Sequence, residues 1–133
     1  MIRSIMYVGL GSAIGGMLRF LCYGLISIRI VKMFPFNTLF VNVLGSFLIG
    51  ALFVLFQKKN FSAEWLSFFI TGVLGGFTTF SAFSLETFQL IEQNQIGKAF
   101  LYALLSVFLG LLGRVCGDIF IKQMKFLIKY FKQ

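Results

Sequence analysis

The chain consists of long apolar segments separated by short polar connections. A helix that crosses a bilayer needs about 20 mostly apolar residues. Four segments meet this requirement, over residues 5–28, 36–57, 65–85 and 99–121. The connections are too short to hold a soluble domain. The pattern therefore predicts an all-α integral membrane protein, in which residues 1–133 form a single domain of four transmembrane helices.

A basic tail follows the fourth apolar segment, over residues 122–133. Its lysines recur at helical spacing with apolar side chains between them, at Lys122, Lys125, Lys129 and Lys132. This pattern is typical of an amphipathic helix that lies against anionic lipid headgroups. We expect the tail to extend the fourth helix along the membrane surface.

The composition agrees with a membrane location. Hydrophobic residues make up 59% of the chain and charged residues only 12%, whereas soluble domains carry roughly 25% charged residues. A chain of this length cannot bury so much apolar surface in its own core. The net charge is +8, but the basic residues flank apolar segments, which favours contact with headgroups and argues against nucleic acid as a partner.

The sequence offers little chemistry for an enzyme. It contains no histidine, and it has no convincing nucleophile–base pair. The two cysteines, Cys22 and Cys116, fall inside apolar segments without the spacing of metal ligands. We interpret them as two buried thiols.

The basic residues are unevenly distributed between the two sides of the predicted domain. One side holds seven of them, which are Arg3, Lys58, Lys59 and the four tail lysines. The other side holds three, which are Arg29, Lys32 and Lys98. Because cytoplasmic loops are enriched in Lys and Arg, this count places both termini in the cytoplasm.

Small residues on the predicted helices have two interpretations. Gly9, Gly11 and Gly15 nearly match a dinucleotide-binding fingerprint, but that fingerprint requires a strand and a soluble βαβ unit. On membrane helices, small residues allow two backbones to approach closely. We predict such packing faces at Gly11 with Gly15, Ser12 with Gly16, Gly45 with Ser46, and Gly113 with Gly117.

The third apolar segment differs from the others at its middle, where it carries Gly75-Gly76-Phe77-Thr78-Thr79. Glycine and β-branched threonine are poor helix formers, so the helix is predicted to break near its middle. A break inside a membrane releases carbonyl groups that must face protein, water or an ion. Transporters bind ions at such breaks, although glycines here could also serve packing alone.

Aromatic and polar side chains surround the predicted break. Phe80 and Phe83 lie on one helical face, and the positive edge of an aromatic ring can face an anion; lipid contact is the alternative. Hydroxyl donors occur at Thr79, Ser81 and Ser84. Asn42 adds an amide in the second segment, where it serves either as an interhelical contact or as a pore donor.

Three stretches of the chain resemble one family. The third segment carries Gly-Gly-Phe-Thr-Thr-Phe-Ser-Ala-Phe-Ser-Leu-Glu at residues 75–86, which closely resembles the signature of the Fluc (CrcB) fluoride channel family. Residues 38–45 (Thr-Leu-Phe-Val-Asn-Val-Leu-Gly) and 15–20 (Gly-Gly-Met-Leu-Arg-Phe) resemble its second-helix and first-helix motifs. The resemblance covers essentially the whole chain in length, number of spans and order of motifs.

The resemblance implies a passive fluoride-selective channel that exports fluoride across a bacterial inner membrane and relieves its toxicity. It implies an antiparallel, dual-topology homodimer with two pores. It also implies a structural Na⁺ at the centre of the dimer, held by the backbone carbonyls of Gly75 and Thr78 from each subunit. The seven-to-three count of basic residues fits dual topology poorly, so an oppositely oriented paralogue is the alternative partner.

The resemblance also assigns roles to side chains along the fluoride path. Phe80 and Phe83 match phenylalanines that line it, and Asn42 matches a pore asparagine. The third-helix motif supplies hydroxyl and acidic positions that correspond to Ser81, Ser84 and Glu86. We group Thr79 with these donors and assign Arg19 a structural or vestibular role.

The fourth segment carries Tyr102, Ser106, Gly110 and Arg114, each four residues apart and so on one helical stripe. Members of the family have a track of hydroxyl groups there. Tyr102 and Ser106 fit that track, whereas Gly110 and Arg114 interrupt it. For Arg114 we favour an ion pair with Asp118 over a role in an anion vestibule.

Two other classes of membrane protein have four short helices. A small multidrug exporter requires an acidic residue within the first span, which this sequence lacks. An assembly or scaffold subunit would not require the unusual middle of the third span. The low charge within the spans also favours a channel over a proton-coupled transporter, which needs titrating groups in the membrane.

Overall fold

The computed structural model describes residues 1–26, 34–58 and 61–131. Helix α1 covers Ile2–Leu25 and α2 covers Phe36–Lys58. Helix α3 consists of Ala63–Leu66, Ser67–Leu74 and Gly75–Phe77, and α4 covers Phe80–Glu92. Helix α5 runs over Ile96–Phe131. With α3 and α4 taken together, the described part of the chain has four helical segments long and apolar enough to cross a membrane, as predicted.

The third span is broken between α3 and α4. Thr78 and Thr79 are extended, with φ/ψ angles of −81°/159° and −151°/115°. Gly75 remains helical, with angles of −64°/−37°. The predicted break is therefore confirmed, and it falls at the threonines rather than at the glycines. β-Branched side chains favour extended backbone, and the Thr79 hydroxyl caps α4 by accepting a hydrogen bond from the backbone N–H of Ala82 at 3.2 Å.

The middle of α3 is a π-helix over Ser67–Leu74. Such i→i+5 turns are rare and occur often at functional sites. Aromatic rings cluster at its beginning. The ring centroid of Tyr7 in α1 lies 5.9 Å from that of Trp65 and 6.4 Å from that of Phe68. This aromatic cluster ties the start of the third span to α1.

Small residues allow α1 to lie directly against α3. A Cβ added to Gly11 would lie 2.5 Å from the carbonyl oxygen of Phe68, and one on Gly15 would overlap the carbonyl oxygen of Val73. The predicted packing face of Gly11 and Gly15 is therefore confirmed. The prediction for Gly16 is wrong, because a Cβ there would meet nothing within 4 Å in the described part of the chain.

Helix α2 packs chiefly against α5, again through small residues. A Cβ on Gly117 would overlap the carbonyl oxygen of Phe47, and one on Gly113 would lie 2.9 Å from the carbonyl oxygen of Val43. Tyr102 is fully buried beside this contact, in a core cluster with Leu39, Leu90 and Ala99. These contacts fix the position of α5 relative to the break.

The described part of α5 is 36 residues long, about 54 Å at 1.5 Å per residue. The hydrocarbon core is about 30 Å thick, so α5 extends well beyond it. Lys125 of the tail donates to the carbonyl oxygen of Val54 near the end of α2, at 3.4 Å. The predicted tail is thus a helical continuation as far as Phe131. Several predicted positions lie outside the described residues. They are Arg29, Lys32 and Lys59 of the connections, Lys132 of the tail, and positions 27–28 of the first span.

The close contact between α1 and α3 predicts different effects for two neighbouring glycines. Gly15→Ala should lower the thermal stability of the purified protein, because its methyl group must push against backbone atoms of Val73. Gly16→Ala is the matched control, and it should leave the melting temperature nearly unchanged. Equal melting temperatures for the two variants would show that the contact between the helices is not as close as described.

Candidate functional site

Asn42 of α2 bridges the break in the third span. Its Oδ1 accepts a hydrogen bond from the backbone N–H of Thr79 at 2.8 Å, and its Nδ2 donates to the Thr79 carbonyl at 3.1 Å. One side chain thus pairs both backbone groups of a residue that belongs to neither helix. Unpaired backbone groups are costly in a membrane, so Asn42 stabilises the break. Nδ2 carries a second N–H beyond this contact, which is the donor that a pore role would use.

The carbonyl groups before the break have unusual surroundings. In a continuous α-helix the Gly75 carbonyl would accept from the Thr79 N–H, but that N–H is used by Asn42. Gly75 itself is exposed on the surface of the chain. The Thr78 carbonyl accepts a long hydrogen bond from Arg19 Nη1 at 3.4 Å. The carbonyl oxygens of Gly75 and Thr78 are therefore candidates for further contacts, and that of Thr78 is close to a guanidinium group.

Glu86 of α4 is held by hydroxyl groups from two other helices. Thr38 Oγ1 donates to its Oε1 at 2.7 Å, and the Tyr102 hydroxyl donates to its Oε2 at 2.7 Å. The Tyr23 hydroxyl lies 2.8 Å from Thr38 Oγ1. Because the Thr38 proton is already used by Glu86, Tyr23 must be the donor of that bond. The carboxylate is therefore fixed at both oxygens by a network that joins α1, α2, α4 and α5.

The hydrogen bonds decide which hydroxyl groups are free to bind an anion. Tyr102 and Thr38 donate to Glu86, and Ser84 Oγ donates to the Phe80 carbonyl at 3.0 Å. Thr79 Oγ1 and Ser81 Oγ lie 3.2 Å apart, so one of these two hydroxyl groups donates a hydrogen bond to the other. One of this pair therefore keeps a free O–H next to the break, so the donors at this end of the site are Asn42 and one hydroxyl of the Thr79 and Ser81 pair.

The two predicted phenylalanines lie in contact but differ in exposure. The ring centroids of Phe80 and Phe83 are 5.5 Å apart. The Phe83 ring also lies 5.2 Å from the ring of Tyr102 and packs against the buried core cluster. Phe80 is 78% exposed on the surface of the chain. Phe83 therefore connects the break to the stripe on α5, whereas Phe80 projects outward.

An open cleft of about 380 Å³ lies beside the break. Its walls are formed by Arg19, Tyr23, Thr79, Ser81, Ala82 and Leu85. Arg19 brings a positive charge into this cleft, next to the free hydroxyl of the Thr79 and Ser81 pair. Because Arg19 both lines the cleft and donates to the Thr78 carbonyl, its structural or vestibular role stays a prediction. An anion in the cleft would have both a guanidinium group and hydroxyl donors among its walls.

The stripe on α5 continues away from the break. The Ser106 hydroxyl is buried, and it has no hydrogen-bond partner within the described residues. Arg114 pairs with Asp118 at 3.8 Å, as favoured from the sequence, and its guanidinium carbon lies 5.6 Å from the centre of the Phe53 ring. Asp118 has a closer partner in Lys122, at 2.6 Å. The stripe thus ends near a small cluster of charged side chains.

Sequence patterns alone did not single out Tyr23 or the pairing of Thr38 with Glu86. Tyr23 lies near the end of the first apolar segment, and Thr38 near the start of the second. A hydroxyl group in an apolar segment is common, so neither position carried a distinctive signal. Only the packing of α1, α2 and α4 brings these groups within hydrogen-bond distance of one another.

Comparison with known proteins decides the family. The model of the family described as CrcB-like protein, Camphor Resistance (CrcB), matches residues 6–118. The chain belongs to the CrcB family. This match includes every predicted site residue from Arg19 to Arg114, and it confirms the resemblance noted in the sequence.

Curated members of the CrcB family are similar over most of the chain. A protein of Flavobacterium psychrophilum is 45% identical over 123 residues, which cover 92% of this chain and 99% of that protein. One from Thermus thermophilus is 49% identical over 78% of this chain and 83% of its own length. One from Rhizobium meliloti is 47% identical over 85% and 91%, respectively. All three carry the name fluoride-specific ion channel FluC.

Membership in the CrcB family, together with four apolar helical segments, makes this chain a multi-pass membrane protein. The family is one of channels, and the chain is not an enzyme. Its motifs therefore support ion passage, and the residues around the break are the candidates for it.

The role of Asn42 at the break can be separated from a general effect of losing an amide. Asn42→Leu removes both hydrogen bonds to Thr79, which should destabilise the protein by about 1–3 kcal/mol. Asn37→Leu is the control on the same helix, because the buried Asn37 Oδ1 has no hydrogen-bond partner within the described residues. The measurement is thermal unfolding of both variants in detergent. A loss for Asn42→Leu no larger than that for Asn37→Leu would contradict the assigned role.

Proposed function

We propose that this protein is a fluoride-selective channel that allows fluoride to leave the cell passively. The observation that carries the proposal is the donor cluster of Asn42, Thr79 and Ser81 at the break, in a chain whose relatives are named fluoride-specific ion channels. Fluoride is small and strongly hydrated. A selective pore must replace its water with donors and still release the ion.

The donors in the proposed path suit such an ion. Hydroxyl and amide groups give hydrogen bonds without a full opposite charge, which would bind the ion too tightly in a medium of low dielectric constant. The rings of Phe80 and Phe83 add weakly positive edges. Arg19 lines the same cleft as Thr79 and Ser81, and its guanidinium group also donates to the Thr78 carbonyl. Glu86 is a fixed member of the path, whose negative charge is partly offset by Thr38 and Tyr102.

We further propose that two antiparallel copies assemble and form two pores. Gly75, Phe80, Ser81 and Ser84 are all exposed on one chain. Exposed carbonyl and hydroxyl groups are unfavourable against lipid tails, and a second copy would cover them. An oppositely oriented paralogue would meet the same need. We favour a homodimer and keep the paralogue as the alternative partner.

A structural sodium ion at the centre of this dimer forms part of the proposal. The Gly75 carbonyl fits the role of a ligand, because its helical partner is used by Asn42. The Thr78 carbonyl has a second lone pair beyond the one directed at Arg19. Hard cations such as sodium prefer oxygen ligands of this kind. When bound, the ion would offset the partial negative charge of these carbonyl oxygens.

The function is tested by ion efflux from liposomes that contain the purified protein. We expect fast loss of fluoride with little loss of chloride in a paired measurement. Phe83→Ile should reduce fluoride efflux by at least about tenfold, because it removes a ring edge while it conserves an apolar side chain. Phe126→Ile is the control, since Phe126 lies exposed on the tail and far from the break in sequence.

Two results would reject the channel or its path. Absence of fluoride loss from protein shown to be folded and inserted would reject passive transport by this chain alone. Equal fluoride efflux from Phe83→Ile and the native chain would remove Phe83 from the path and leave it as a packing residue.

The dimer and the sodium ion are tested by light scattering and thermal unfolding in detergent. We expect the mass of a dimer, with a lower melting temperature when N-methyl-D-glucamine replaces sodium, because the carbonyl oxygens at the break lose their cation. Potassium is the control cation. Monomeric mass under all conditions would reject the dimer, and equal melting temperatures in the three buffers would reject the sodium site.

A further inference from the structure

The stripe on α5 contains a gap at Gly110. Tyr102 and Ser106 present hydroxyl groups, and Gly110 occupies the next position, one helical turn further along. A hydroxyl group is thus absent where the periodicity of the stripe places one. A path of donors that ended at Ser106 would stop inside the contact between α5 and α2.

Packing does not explain the glycine at this position. Added Cβ atoms at Gly113 and Gly117 would press on backbone atoms of α2, so glycine is required there. Within the described residues, a Cβ at Gly110 would meet only Ser46 Oγ, at an ordinary van der Waals distance of 3.7 Å. There is therefore room for a side chain at Gly110, and the group that borders this space is a hydroxyl.

Ser46 reaches the gap from the opposite helix. It lies four residues after Asn42 on α2, so the two side chains share one helical face. Asn42 meets the break, and Ser46 meets Gly110 one turn further along. Asn42 and Ser46 thus follow one another along α2 in the same direction as Tyr102, Ser106 and Gly110 along α5.

Ser106 supplies an independent observation. Its hydroxyl is buried without a hydrogen-bond partner in the described residues, and such groups are rare because they cost free energy. Ser106 is one turn from Gly110, a spacing of roughly 5–6 Å between neighbouring side-chain positions on a helix. Because Ser46 Oγ lies 3.7 Å from a Cβ at Gly110, it borders the position one turn from Ser106.

We propose that Ser46 replaces the hydroxyl group missing at Gly110, and that Ser46 and Ser106 together form an anion subsite that continues the path beyond Tyr102. The inference rests on the proposed function and extends it to a residue on α2. The role of Ser46 is therefore not limited to close packing, which its position next to Gly45 had suggested. The subsite would bind fluoride through two neutral donors.

The test is a set of variants in the liposome efflux assay. Ser46→Ala should reduce fluoride efflux by about tenfold, the size expected for one lost hydrogen bond to a charged group. Adding Gly110→Ser to this variant should restore efflux, because it returns a hydroxyl group to the same space from the other helix. Adding Gly110→Ala instead is the matched control, and it should not restore efflux.

Each outcome has a distinct meaning. Unchanged efflux in Ser46→Ala overturns the inference, as does equal efflux in the two double variants. Loss of thermal stability in Ser46→Ala that Gly110→Ser does not repair would assign Ser46 to packing and also overturn it. Absence of efflux from the native chain would reject the proposed function itself, and that result is visible before any variant is measured.

Discussion

The pairing of Asn42 with the backbone of Thr79 is the interaction on which the site depends. A membrane supplies no water to satisfy the backbone of an interrupted helix. One amide side chain meets both the N–H and the carbonyl of the extended residue. This pairing satisfies the backbone of Thr79 at the break, and it deprives the Gly75 carbonyl of its usual helical partner.

The second organising feature is a carboxylate held within the helices. Glu86 accepts hydrogen bonds from the hydroxyl groups of Thr38 and Tyr102, and Thr38 accepts one from Tyr23. Charged groups in membrane segments are costly unless they are paired or hydrogen-bonded. The network satisfies the carboxylate and also links four helices. The hydroxyl groups of Tyr102 and Thr38 already donate to Glu86. An ion that binds the Tyr102 hydroxyl must therefore compete with Glu86 for this hydrogen bond.

The sequence was sufficient to predict the four spans and the break, because both follow from local composition. Asn42 was also identified, since an amide in an apolar run needs a partner. It could not reveal that this partner is Thr79, nor that Tyr23 completes the Glu86 network, since these contacts join residues distant in the chain. The openness of Gly16 and the space at Gly110 depend on how helices cross. Glycine spacing cannot distinguish an open position from a crowded one.

The π-helix over Ser67–Leu74 has a consequence for the phase of the third span. Each residue along an α-helix turns the chain by about 100°, so the wider turns rotate everything that follows relative to the aromatic cluster around Tyr7. With this rotation Gly72 meets Gly11 and Gly76 meets Ser12. Deleting one residue from this segment would restore ordinary α-helical turns, but it would rotate the rest of α3 so that Gly76 no longer lies against Ser12 of α1. The length of this stretch is thus constrained by the contacts that Gly72 and Gly76 make with α1.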